Sequence, residues 1–102
     1  MQVMKDGHVY KLDSFEGTEP QIVNFIDKEP VSEGSTELRT VRDGTTNEEV
    51  LAMLIDRMKY LQGKFGCREN AIVITNLEES LMWLEKRTAD RKACGTEGTN
   101  KV

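Results

Sequence analysis

The sequence has little of what reactive centres are built from. It carries one histidine, His8, and two cysteines, Cys67 and Cys94. With no ligand-type neighbour beside either cysteine, no metal site is expected. Cys67 and Cys94 are 27 positions apart. In a continuous helix that separation is roughly 40 Å, which excludes a disulfide within one chain. Reduced thiols fit a cytosolic protein. No serine or cysteine has a recognisable base partner, so no nucleophilic triad can be assembled. Glu78 and Glu79 are sequence neighbours on a helix and do not face each other; they read as a solvated face. A phosphate-cradling Gly-x-x-x-x-Gly-Lys loop is absent. No apolar run reaches the ~18 residues of a membrane span, and nothing resembles a signal peptide. Excess positive charge is missing too: 14 Lys and Arg stand against 18 Asp and Glu, for a net charge of −4. That balance argues against a protein that coats DNA. Catalysis, cofactors and metals therefore have little support, and binding has more.

What is present reads as one domain of α+β class: a small N-terminal antiparallel sheet followed by a long antiparallel helical hairpin. The parts are a strand-rich segment over 1–44, the hairpin over 45–94 and a polar tail over 95–102. Met1 to Met4 and His8 to Leu12 read as strands joined by a tight turn at Lys5-Asp6-Gly7. His8 is most simply a strand residue beside that turn, sharing a face with Tyr10 and Leu12. Gln21 to Lys28 is rich in β-branched and aromatic residues and precedes Pro30, so it reads as a third strand. Val31 to Thr36 is a turn, and Glu37 to Val41 another strand. The expectation is a single sheet of three to four strands.

Gly44 breaks the strand pattern. Thr45 or Thr46 can cap a helix whose first turn holds Glu48 and Glu49, where the helix dipole favours anions. The first helix is expected to run to about Lys64, with an apolar stripe of Val50, Leu54, Leu61 and Phe65 joined by Leu51 and Met58. The short break at Gly66 forces the next helix, from Glu69 to about Ala93, to run antiparallel. Its seam of Ile74, Leu77, Leu81 and Leu84 is spaced to pack on a partner helix. Val73, Met82 and Trp83 add apolar surface off that seam. Two helices cannot cover all of it, so a homodimer or higher homo-oligomer is expected. Gly95 is a natural C-cap, and the polar tail beyond it has the composition of a frayed end.

Binding residues concentrate on the hairpin. Asn70 lies in the first turn of the second helix, just after Arg68, where free backbone N–H groups and a guanidinium suit phosphate. Tyr60 lies one to two turns before the tip, placed either to stack on a base or to pack in the core. Lys86, Arg87, Arg91 and Lys92 gather at the far end of the second helix, where cations also complement the dipole. Arg57 reads as a surface cation.

Three runs carry a family resemblance: Asp43-Gly-Thr-Thr-Asn-Glu-Glu-Val-Leu-Ala-Met-Leu-Ile-Asp-Arg57, Lys64-Phe-Gly-Cys-Arg-Glu-Asn-Ala-Ile72, and Leu77-Glu-Glu-Ser-Leu-Met-Trp-Leu-Glu-Lys-Arg-Thr-Ala-Asp-Arg91, with the closing Gly-Thr-Glu-Gly-Thr. Their order and spacing resemble the Thoeris anti-defence sponges of the first-described class, small phage proteins whose helical hairpin is shared with an anti-CBASS sponge. The resemblance spans roughly Asp43 to Thr99; the front half is similar only in its strand-and-turn layout. It implies a non-enzymatic protein, in the cytoplasm of the infected bacterial host, that sequesters glyco-cyclic ADP-ribose. Some members also hold cyclic di- or trinucleotides at separate sites. By motif position the ligand-binding residues implied are Tyr60, Asn70 and Arg87. A slip in register would bring in Phe65 or Arg91, and Thr99 is implied as a lid or phosphate contact; Arg68, near the hairpin tip, is the candidate for a second site if there is one. The resemblance also implies assembly into dimers and larger homo-oligomers, up to a hexamer.

Geometry constrains how such a site is built. Asn70 and Arg87 are 17 residues apart on one helix. That is roughly 25 Å, more than one compact pocket spans. If both touch one ligand, two chains must run antiparallel, the tip of one meeting the helix end of the other. Two other readings stay open: an oligomeric structural or protein-interaction module with no nucleotide ligand, and an enzyme that cleaves the signal.

Overall fold

The computed structural model describes residues 1–95. They divide into two compact units, a strand-rich one over Met1–Thr46 and a helical one that begins at Asn47. The α+β class and the helical hairpin are as the sequence reads; the sheet is not. Instead of one sheet there are two. Strands β1 (Gln2–Lys5), β2 (Val9–Leu12) and β3 (Gln21–Asn24) form an antiparallel three-stranded sheet in that order. Strands β4 (Asp27–Pro30) and β5 (Leu38–Arg42) form a separate antiparallel pair.

The split falls inside the segment that reads as one strand over Gln21–Lys28. Backbone hydrogen bonds explain it. The Phe25 N–H donates to the His8 carbonyl at 2.7 Å, so this residue still serves the first sheet. One residue later the Ile26 N–H donates to the Thr45 carbonyl at 2.8 Å, while the Thr45 N–H donates to Asn24 at 2.8 Å. Thr45 thus straps the chain where it leaves one sheet for the other. The strap needs a glycine beside it: a Cβ on Gly44 would lie 2.5 Å from the Asn24 carbonyl oxygen and 2.6 Å from the Phe25 carbonyl carbon. Both are backbone atoms and cannot swing away.

The β1–β2 turn takes three residues, Asp6 to His8, with Gly7 at φ 73° and the His8 N–H closing onto the Lys5 carbonyl at 3.0 Å. His8 is therefore a turn residue and not the first residue of β2. A register shift between Val3 and Lys5 accompanies the turn. Around it sits a charged cluster with no counterpart in the sequence reading. Asp27, only 3% exposed, accepts a hydrogen bond from the Lys5 ammonium. His8 Nε2 lies 3.3 Å from its other carboxylate oxygen, and His8 Nδ1 lies 2.9 Å from the Asp6 carbonyl oxygen. Beside this cluster Val9 is buried, and Tyr10 meets Phe25 edge-on with ring centroids 5.8 Å apart.

The Asp27 carboxyl is held below its ordinary value of 3.8, first by the Lys5 hydrogen bond; burial opposes the shift, and the charges of His8, Lys5 and Arg42 add to it. A depressed folded-state value means that ionised Asp27 stabilises the fold above the unfolded value and stops doing so as pH falls through the folded one. The window therefore lies below about pH 4. Asp27→Asn is expected to lower the melting temperature at neutral pH and to show a flatter decline than the parent as pH drops below 4. Parallel acid limbs in the two proteins would show that the carboxylate carries no such load.

The helical unit consists of α1 (Asn47–Lys64) and α2 (Arg68–Ala93). Glu48 and Glu49 occupy the first turn of α1. Helix α2 starts one residue earlier than the sequence suggests because Cys67 is its N-cap: extended at φ −149° and ψ 161°, with its Sγ accepting from the Asn70 N–H. At the other end Gly95 takes φ 71°, the left-handed conformation that stops a helix. The packed face of α1 differs from expectation. Ile55 is its buried residue, with Leu51, Met58 and Leu61 half-buried, whereas Leu54 and Phe65 are exposed. Opposite them Ile74, Leu77, Leu81 and Leu84 are half-buried, as their spacing implies.

Candidate nucleotide-binding hairpin

The tip of the hairpin is a three-residue connection, Phe65 to Cys67. Helix α1 ends as the Phe65 N–H donates to the Leu61 carbonyl at 2.9 Å. A side chain then spans the turn. Gln62 donates through Nε2 to the Cys67 carbonyl at 3.0 Å and accepts through Oε1 from the Cys67 N–H at 3.1 Å. Cys67 in turn receives the Asn70 N–H on its sulfur at 3.4 Å. The first turn of α2, with Asn70 half-buried in it, is thus tied back to the last turn of α1.

Tyr60 stands one turn before the end of α1 and is 59% exposed, so it is not a core residue. The Lys64 ammonium lies 5.0 Å from its ring centroid. That is a cation–π contact on one ring face. Phe65 is still more exposed, at 84%. The tip therefore presents two aromatic rings, an ammonium, Arg68 and the start of α2.

The second set of candidates lies at the other end of α2. Arg87 is exposed and, with Glu48, Glu85, Thr88, Ala89 and Lys92, lines an open groove of about 480 Å³ between the start of α1 and the end of α2. Arg91 is half-buried. Lys86 is paired within its own helix, to Asp90 at 2.7 Å, leaving Arg87 and Lys92 as the cations on the groove. Thr99 falls outside the described residues. Arg57 is exposed on α1. Between the two ends runs a second open groove of about 440 Å³, floored by Ile55, Leu81 and Met82 and edged by Asp56, Glu78, Glu85 and Lys59. Its charge is unfavourable for phosphates. Glu78, which reads as plain solvated surface, is paired across the helices with Lys59 at 3.1 Å.

A single hairpin does not bring the sequence candidates together. Tyr60, Phe65, Arg68 and Asn70 flank the turn; Arg87 and Arg91 stand roughly 25 Å or more up the same helix, at the helical rise. Sequence reasoning missed Gln62, whose amide holds Cys67 across the turn. A long amide four residues before the break at Gly66 was the available signal. Among the described residues no group of three or more His, Cys, Asp or Glu is placed to hold a metal ion, and no helix is long and apolar enough to cross a membrane.

Two comparisons with known proteins bear on this hairpin. The profile of the Acb2/Tad1 hairpin domain matches residues 21–89, from β3 to nearly the end of α2. A protein of Bacillus phage SBSphiJ7 named Thoeris anti-defense 1 is 55% identical over 60 residues, covering 58% of this chain and 42% of that protein. The chain thus spans less than half the length of the relative it matches.

Proposed function

The chain belongs to the Acb2/Tad1 hairpin family, and from that premise we propose that it is a phage anti-defence protein that binds and holds a cyclic ADP-ribose-type signal, glyco-cyclic ADP-ribose, without cleaving it. The observation that carries this reading is the hairpin itself. The matched region contains Tyr60, Asn70 and Arg87, and the fold leaves a tyrosine ring open at one end and an arginine open at the other. A stacking surface for a base and a planar guanidinium fork for phosphates are the two parts that an ADP-ribose-type ligand requires. Because Tyr60, near the end of α1, and Arg87, near the end of α2, stand at opposite ends of the hairpin, the pocket is composite: the tip of one chain meets the helix end of a second chain across a two-fold axis, giving two pockets per dimer. Asn70, in the first turn of α2, joins Tyr60 in the tip half of the pocket, Phe65 and Arg91 are the residues one register slip away, and Arg68 is the candidate for a second site for cyclic di- or trinucleotides. The protein acts in this reading as a homodimer or larger homo-oligomer in the cytoplasm of the infected cell.

A different reading is favoured by one observation: Met53, Met82 and Trp83 are each more than half exposed on the helices. Exposed large apolar side chains of this kind would serve a protein-interaction module with no nucleotide ligand. Calorimetric titration with glyco-cyclic ADP-ribose, followed by heat denaturation and chromatography of the released small molecule, separates the possibilities. Tight binding near one ligand per chain with intact ligand recovered is the expected result. A chemically altered product would mean an enzyme. No binding of this signal or of cyclic oligonucleotides would leave the interaction module.

A further inference from the structure

We propose that Gln62 is a positioning residue for the nucleotide site, acting through Cys67 on Asn70; this rests on the sponge reading above. The hairpin connection is short and exposed, and a short exposed connection between helix ends is ordinarily free to fray. Here both hydrogen-bonding groups of Cys67 are spoken for. Its N–H goes to Gln62 Oε1 at 3.1 Å, and its carbonyl receives both Gln62 Nε2 at 3.0 Å and the Ala71 N–H at 3.2 Å. A primary amide offers a donor and an acceptor side by side, so one side chain engages both groups of one residue. This fixes Cys67 in the extended conformation that lets its sulfur cap the Asn70 N–H. The chain of contacts runs Gln62, Cys67, Asn70, and it begins two residues after Tyr60 on the same helix. Gln62 thereby sets where the first turn of α2 stands relative to the tyrosine ring. A ligand gripped between an aromatic and an amide loses affinity when either is displaced by about 1 Å, so the clamp acts on binding without touching the ligand.

Substitution separates this role from a merely structural one. Gln62→Ala removes both bonds; Gln62→Glu keeps the acceptor for the Cys67 N–H and loses the donor to its carbonyl. Gln62 is a half-buried side chain at a helix end, and circular dichroism with sedimentation will verify that folding and assembly persist in both variants. Calorimetry with glyco-cyclic ADP-ribose is expected to show about tenfold weaker binding for Gln62→Ala and a smaller loss for Gln62→Glu. The deciding readout is a double-mutant cycle. In an Asn70→Ala background, Gln62→Ala is expected to change affinity by less than about twofold, because the residue it positions is gone. Affinity of Gln62→Ala within twofold of the parent would overturn the proposal, as would an equal loss in both backgrounds. If the parent binds no nucleotide, the sponge reading itself falls and this role falls with it, an outcome distinguished from the others by the parent titration alone.

Discussion

Replacing Arg87 with alanine is expected to weaken binding of glyco-cyclic ADP-ribose roughly 10- to 100-fold, the worth of hydrogen bonds to a charged group, with folding and assembly intact. Arg87 is exposed on the groove at the helix ends, so no packed core depends on it. Lys92 lines the same groove and stays in the variant, so one cation remains there. Arg87→Lys is the sharper version. It keeps the charge and loses the planar fork, and an intermediate loss is expected. Unchanged affinity in Arg87→Lys would remove Arg87 from the site.

The composite pocket gives this prediction a second arm. Tyr60→Ala is expected to cost a comparable factor, since base–aromatic stacking is worth ~1–3 kcal/mol. Each variant alone damages both pockets of a dimer. Refolding the two variants together changes that. In a mixed dimer, one pocket receives the altered tip and the altered helix end, and the other receives neither. Roughly one pocket in four of a one-to-one mixture should then bind at full strength, if the dimer is two-fold symmetric. A pocket built within one chain would carry one defect in every copy, and no tight sites would return. The titration of the mixture thus decides where the pocket is assembled, independently of which residue contributes more.

The sequence made the hairpin legible and the sheet only partly so, for different physical reasons. Helical pairing is local: the 3-and-4 spacing of Ile74, Leu77, Leu81 and Leu84 and the break at Gly66 are both readable within a few residues. Adjacent apolar positions are the weak point. Leu54 and Ile55 each begin a plausible stripe, one through Leu61 to Phe65 and one through Met58, about 100° apart on the helix. Periodicity does not choose between them; packing buries Ile55. Strand pairing is not local at all. Asp27 meets Lys5, 22 positions away, through the sheet arrangement, and nothing near Asp27 marks it as a buried carboxylate. The switch between sheets at Phe25 depends on Thr45, a residue that reads equally well as a helix cap. Of the candidate site, Tyr60, Asn70 and Arg87 are assigned by motif position, and the fold adds that Tyr60 and Arg87 are exposed and Asn70 half-buried. The Gln62 clamp was not, because it depends on the path of the turn.

The choice between the two stripes yields the largest stability effect. Ile55→Ala is expected to destabilise the hairpin by about 2–5 kcal/mol, as for other large-to-small changes at buried aliphatic positions. It is the buried residue of α1, so the change removes the most completely packed aliphatic side chain of that helix. Leu54→Ala, at a side chain 37% exposed, is expected to cost about 1 kcal/mol or less in the hairpin alone. Denaturant unfolding monitored by helical circular dichroism compares them directly, and equal losses would mean that both stripes are buried in solution. Protein concentration separates the causes of such equality. A residue packed inside one hairpin lowers the unfolding midpoint by the same amount at every concentration. A residue covered by a second copy acts through association, so its effect grows where dimers begin to dissociate. Leu54→Ala should therefore show a concentration-dependent deficit if the outer stripe is the assembly face, while the deficit of Ile55→Ala should stay constant.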